Sequence, residues 1–456
     1  MRCANGPPPR TGEELKCVKF GNLYQLSREV FGIACTMGLA KLDKTTVGMR
    51  VMATVAADKV HGFEPFGMDF RNDPHRFYPE LLAHSPMRVI AEGAPAVVIS
   101  KFRQVKKVLS YPKLFSSVKP AGSPGMEKVD FFNGRPVMNY CDPPEHNRLR
   151  QIVSPAFSPR NVRATQEKAQ KIIDEMLDAL GDHPTFDGVA DLGFPFSRRV
   201  LMNSFMGIPP EDEHIFLRWL YAVPLLGAME PGDPKPKEFL DAWDDGTAHC
   251  AIALDRARNG GSEGIIGMIA NGEDAGKISK DDIMATMMVL FAGGLTTVSA
   301  SIGACLLKFT EYPEIAERVR QDPSLAPRFF EETLRLNPAL TSVMRFPTED
   351  MEIEGLWVKK DTPLYVMLSA ACFDPEEFPD PYRFDIDRPN NKEHAAFGAG
   401  QHTCIGNVIA RAVIPPLIAD AATRWPQLRR SEPDKPLPFD IGNPRVRHLA
   451  GVGLTN

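Results

Sequence analysis

A decapeptide near the C-terminal end carries the densest chemistry in the chain: Phe397-Gly398-Ala399-Gly400-Gln401-His402-Thr403-Cys404-Ile405-Gly406, leading into a run that reads as helical from Ile405 to about Arg424. Its glycines let the backbone fold tightly and approach a flat ligand closely. Cys404 falls at the start of the helix, where backbone N–H groups and the helix dipole favour a thiolate and a bound metal would complete the deprotonation. A lone cysteine beside a glycine loop is more often a buried structural thiol, so the neighbours must decide. Three other groupings bear on it. Glu332 and Arg335 lie three apart and share one face of a helix predicted from Ala326 to Leu336, with Arg383 further on in Phe378-Pro379-Asp380-Pro381-Tyr382-Arg383-Phe384. His146 and Arg150, four apart, follow Asp142-Pro143-Pro144-Glu145. Thr296 and Thr297 follow the small residues Ala292, Gly293 and Gly294.

These groups must be carried by long helices. Asn161–Leu180 spaces apolar residues three to four apart among charges and reads as an amphipathic helix. A second helix is expected from Ile278 to about Glu311, opened by Ser279 with Asp281 and Asp282 in its first turn. Within it, Ile283 to Leu307 is uncharged and long enough to span a bilayer. Its glycines, threonines and serines favour burial inside a large protein instead. The helix at 326–336 stops at Asn337-Pro338, and Met351–Ile353, Leu356–Val358 and Leu364–Met367 read as strands split by Gly355 and Asp361-Thr362-Pro363. Residues 120–125, 230–236 and 259–264, rich in proline and glycine, read as loops. The fold class that results is mainly α with a smaller β-rich part.

Composition narrows the function. The chain has 456 residues, 43% of them hydrophobic and 24% charged, which is globular and permits a large core. A net charge of −5 with no basic runs interleaved with aromatics excludes a nucleic-acid footprint. Eight cysteines form no CxxC pair and no zinc-like spacing, and Pro7, Pro8, Pro9, Glu13 and Glu14 suit neither a secretory signal nor a mitochondrial presequence. The expected location is therefore the cytoplasm.

Taken in order, the ExxR helix, the proline-rich stretch with its arginine and the FGxGxHxCxG loop resemble the cytochrome P-450 family of haem-thiolate monooxygenases. The resemblance runs from about Phe70 to Thr455. It implies a haem b between a long oxygen-binding helix and the Cys404 loop, with Cys404 as axial iron ligand and Phe397, Gly398 and Gly406 against the macrocycle. It implies that Glu332, Arg335 and Arg383 form a structural charge triad, and that His146, Arg150, Arg345 and His402 clamp the haem propionates. Ala292-Gly293-Gly294-Leu295-Thr296-Thr297 matches the family's oxygen-side motif, with Thr297 at its alcohol and Thr296 where relatives carry an acid. A one-residue shift puts Leu295 at the acid and Thr296 at the alcohol. Neither alignment supplies a carboxylate for proton relay. Cys372-Phe373-Asp374-Pro375 also departs, because many relatives have Asn-Arg-Asp-Pro there.

The resemblance further implies a single domain over 66–456. Residues 1–65 form a basic extension whose expected role is packing on the domain, or contact with a membrane surface or partner. The implied function is insertion of one oxygen atom from O2 into an apolar small molecule, by hydroxylation or O-dealkylation. Electrons would come from a separate ferredoxin or flavodoxin reduced by NAD(P)H, recruited by basic residues such as Arg148, Lys392 and Arg411. The alternatives are an H2O2-driven peroxygenase, prompted by the missing acid, and a non-catalytic haem protein for gas binding or electron transfer. The residues before Cys141 and the segment Phe194–Glu230, the latter dense in aromatic and apolar residues, are the expected substrate lids.

Overall fold

The computed structural model describes residues 67–455 except 92, 121–131, 182, 227–233, 260–263, 275–279, 441–447 and 450. The expected extension at 1–65, and most of the loops expected at 120–125, 230–236 and 259–264, lie outside the described residues. The longer helices are α1 (Phe102–Ser110), α2 (Glu145–Val153), α3 (Pro159–Leu180), α4 (Glu213–Leu226), α5 (Lys237–Arg258), α6 (Ile265–Asp274), α7 (Lys280–Glu311), α8 (Pro313–Gln321), α9 (Ala326–Leu336) and α10 (Asn407–Arg424). Strands are β1 (Met87–Ala91), β2 (Ala94–Ile99), β3 (Phe115–Ser116), β4 (Thr185–Asp187), β5 (Val343–Pro347), β6 (Met351–Ile353), β7 (Leu356–Val358) and β8 (Leu364–Val366), with short pairs near the C-terminal end. The main sheet runs β1-β2-β8-β5-β3, parallel only between β2 and β8. β6 and β7 form a separate hairpin.

α7 is apolar all round, which is the pattern of a helix enclosed by protein. It meets the length and hydropathy of a membrane span, but 61% of that window is buried within the fold. Its close packing depends on glycine. A Cβ on Gly294 would meet the Leu201 methyls at 2.9 Å, so the wide π-type turns at Arg199–Met206 rest directly on α7. α9 is buried from Phe329 to Leu336, ionic residues included, and packs against α7 and α10. One apolar cluster joins the sheet, α3, α9, α10 and the C-terminal half of α7. A second joins α2, α4, α5, α6 and the N-terminal half of α7. Ile409 touches both, which places the Cys404 helix at their junction.

Candidate functional site

Gly398 (φ 70°) and Gly400 (φ 67°) hold the loop in left-handed backbone. A Cβ on Gly400 would overlap the carbonyl oxygen of Leu109, so the loop is pressed onto α1. The Cys404 N–H donates to the Phe397 carbonyl at 2.9 Å, closing the turn. The backbone N–H groups of Gly406 and Asn407 lie close enough to Cys404 Sγ to favour its thiolate, and the Asn407 N–H donates to the Cys404 carbonyl at 3.4 Å. Cys404 is exposed, whereas Cys141, Cys250, Cys305 and Cys372 are buried. Protein nonetheless surrounds the thiol closely: desolvation raises its pKa, against the lowering effects of those two N–H groups and of Arg150 and Arg411. Cys404 is thus exposed as a residue while its thiol is closely surrounded by protein. By contrast, burial pushes the Cys250, Cys305 and Cys372 thiols up to about 12, which leaves them inert.

The charge cluster on α9 assembles with one change of membership. Arg335 Nε and Nη2 hold the Glu332 carboxylate at 2.9 and 2.8 Å, both side chains fully buried. Arg335 Nη1 donates to the carbonyls of Cys372 and Pro381, each at 2.8 Å. The third charge is Arg388, whose Nε lies 3.3 Å from Glu332 and whose Nη atoms donate to the Pro379, Asp380 and Arg383 carbonyls. Arg383, expected in that place, is exposed and contributes its backbone carbonyl. The irregular path of residues 372–390 turns Arg383 outward and Arg388 inward. Cys372 serves here through its carbonyl, and Asp374 caps α1 by accepting from the Phe102 N–H at 2.8 Å.

His146, Arg150, Arg345 and His402 come together on one side of the Cys404 loop. The His146 and His402 rings lie 4.2 Å apart. Arg150 donates to the Thr403 carbonyl at 2.8 Å, and Arg345, nearly buried, donates to the Met344 carbonyl at 2.7 Å. Burial, with Arg345, His146 and Arg150 nearby, drives His402 down to about 3. Burial likewise lowers Arg345 to about 10 and lowers His146. Asp142 is the acid nearby, and it is engaged by Ser116 Oγ and the Ser117 N–H. His146 Nε2 is buried without a hydrogen-bond partner among the described residues. Such a cluster of desolvated bases is stabilised by an anion.

Along α7, Gly293 is exposed and a Cβ there would meet nothing within 4 Å. Thr297, one turn on, donates to the Gly293 carbonyl at 2.6 Å. Thr296 is half-buried and Leu295 fully buried. α7 packs against α10, and Ala292 and Leu295 belong to the same apolar cluster as Ile405 and Ile409. In the expected lid, Phe196, Phe205, Phe216, Trp219 and Leu226 are core residues. The proposed docking charges separate: Lys392 is exposed, Arg148 pairs with Glu145 at 2.6 Å and Asp282 at 3.5 Å, and Arg411 is engaged with buried Glu331. Glu331, His394 and Arg388 carry no local signal in sequence, since each acts through partners distant in the chain, whereas Asn407 bonds to Cys404 and Arg411, three and four residues away.

A family model described as Cytochrome P450 matches residues 255–418. The cytochrome P450 monooxygenase PikC of Streptomyces venezuelae is 28% identical over 410 residues, covering 88% of this chain and 95% of the relative. The chain belongs to the cytochrome P450 family. The 6-deoxyerythronolide B hydroxylase of Saccharopolyspora erythraea is 29% identical over 357 residues, covering 75% of this chain and 86% of the relative. The crystal structure of CalO2 superposes with a TM-score of 0.76 at 26% identity, covering 87% of this chain and 99% of that one. As a cytochrome P450 monooxygenase the protein is an oxidoreductase with haem iron as its prosthetic group.

Proposed function

We propose that this cytochrome P450 inserts one oxygen atom from O2 into an apolar small molecule, by hydroxylation or O-dealkylation, at a haem b held by Cys404. The observation that carries the reading is the exposed Cys404, with two backbone N–H groups close to its sulfur at the start of α10. The residues fit the group. The orphaned His146 Nε2 and the desolvated Arg150, Arg345 and His402 suit two propionates, and the open side of Gly293 leaves room above a flat ring. Phe397, Gly398 and Gly406 form the loop against which the ring would lie. When bound, the haem supplies the activation of O2, which thiolate ligation favours.

In this reading Gly406 and Asn407 hold negative charge on sulfur, while the bases orient the ring. Thr297 holds and passes a proton at Oγ1 from the open side of α7, with Thr296 beside it in place of an acid. Relatives named for 6-deoxyerythronolide B hydroxylation and nocardicin C N-oxygenation, and a neighbour solved with myristic acid, support a small organic substrate. The same reading places the protein in the cytoplasm, treats 66–456 as one catalytic domain with 1–65 as a basic extension, and draws electrons from a ferredoxin or flavodoxin reduced by NAD(P)H. Pairing of β2 with β8, from opposite ends of that span, supports the single domain.

Reduction of the holoenzyme under carbon monoxide tests the site. The expected result is the red-shifted Soret band of thiolate ligation, lost in Cys404→Ala and kept in Cys250→Ala. A histidine-type spectrum overturns the reading. The absence of a carboxylate at Thr296 favours one second reading, direct use of H2O2. Full turnover with peroxide and none with ferredoxin and reduced nicotinamide would select it.

A further inference from the structure

A second buried ionic network lies beside the Glu332 cluster, and the family reading above gives it no role. Glu331, 2% exposed, accepts at Oε1 from Arg411 Nε at 2.6 Å. At Oε2 it accepts from Arg411 Nη2 at 3.1 Å and lies 3.0 Å from His394 Nε2. His394 Nδ1 accepts the Ala396 N–H at 3.2 Å, so the neutral ring carries its proton on Nε2 and donates it to Glu331. Burial raises the Glu331 pKa, but the hydrogen bonds from His394 and Arg411 outweigh it and leave the carboxyl below its ordinary range. The network then runs on to the cysteine. Arg411 Nη1 donates to Asn407 Oδ1 at 2.7 Å, and Asn407 Nδ2 donates to the Cys404 carbonyl. The Arg411 guanidinium also covers the Phe397 ring at 4.7 Å, and Phe397 accepts the Cys404 N–H.

We propose that Glu331, Arg411 and Asn407 form a positioning chain that fixes the first turn of α10, and so the two N–H groups that hold charge on the Cys404 sulfur. The proposal rests on the reading of Cys404 as the haem ligand. None of the three is a catalytic residue, because each acts through the Cys404 loop. Arg411 has a double part: its fork fills both Glu331 oxygens and reaches Asn407, and its charge lies close enough to favour the thiolate. Lysine can keep the charge but cannot make both arms of the fork. With the chain cut, the N–H···S contacts lengthen, electron density returns to sulfur and the haem potential falls.

The test compares Asn407→Ala, Arg411→Lys and Glu331→Gln with wild-type holoenzyme. Three quantities are read: the midpoint potential, the thiolate share of the reduced carbon monoxide spectrum, and the rate of haem loss to an apo-globin acceptor. Asn407→Ala leaves the Glu331–Arg411–His394 bonds in place, so it separates positioning from folding. Its thermal midpoint should stay near the wild-type value, its potential and thiolate share should fall, and haem loss should quicken about tenfold. Arg411→Lys should follow in the same direction. Glu331→Gln, if it folds, should match or exceed both; if it does not fold, Asn407→Ala and Arg411→Lys decide. Wild-type values of all three quantities in Asn407→Ala and Arg411→Lys overturn the positioning chain. Loss of the thiolate band from the wild type, or its survival in Cys404→Ala, instead overturns the reading of Cys404.

Discussion

The region under Cys404 and the region around the middle of α7 are held by opposite means. Beneath the cysteine loop, Glu331, Glu332, Arg335, Arg388 and His394 are all buried and matched by hydrogen bonds, and Arg411 adds a half-buried charge. Across from it, α7 meets its neighbours through methyl groups: Leu201 on Gly294, Val189 on Gly303, Ala292 and Leu295 among the apolar residues of the second cluster. A buried charge network tolerates no single loss, because the partner left behind is desolvated and unpaired. An apolar contact tolerates exchange at conserved volume. In the proposed reading the molecule is thus firmly held where the ligand loop sits and permissive where a substrate would be accommodated.

Three pairs of substitutions press on this contrast. The largest effect should come from the ionic side. Arg388→Ala strips Glu332 of a buried partner and takes a donor from three carbonyls, and should cost about 3–5 kcal/mol of stability. Arg383→Ala should cost less than about 0.5 kcal/mol, as at an exposed site. Denaturant unfolding of the pair checks it, and equal costs would return Arg383 to the triad.

The apolar side should respond to volume alone. Gly294→Ala drives a methyl into Leu201 and should cost about 1–3 kcal/mol. Gly293→Ala, one residue away, enters open space and should stabilise by about 0.5–1 kcal/mol by relieving a helical glycine. A melting-temperature difference of the opposite sign would mean that α7 faces the other way. The smallest structural effect is expected at Thr297, whose hydroxyl, among the described residues, bonds within its own helix. Thr297→Ala should keep haem and fold while diverting reducing equivalents to H2O2, read as product formed per nicotinamide consumed. If that ratio holds in Thr297→Ala and collapses in Thr296→Ala, the shifted alignment is correct.

What the linear chain determined by itself is local. The positive-φ glycines, the cysteine at a helix start, the Glu332–Arg335 pair and the uncharged length of α7 are legible because their partners lie within one or two turns. The helices at 161–180 and 326–336 and the strands at 351–353 and 356–358 follow from periodicity and breakers for the same reason. What only the tertiary structure decided is which distant group completes each local one. Arg388 displaces Arg383 because the coil from 372 to 390 has no periodic pattern to orient its side chains. Arg411 turns its guanidinium to Glu331, eighty residues earlier in the chain. Phe216 and Trp219 enter the core although their segment reads as a lid. The same logic hid β1, β2 and β5, short strands whose stability comes from pairing across the sheet. A residue's type announces what it can bond; whether that bond forms depends on where a separate segment of backbone passes, and that is fixed only when the whole core closes.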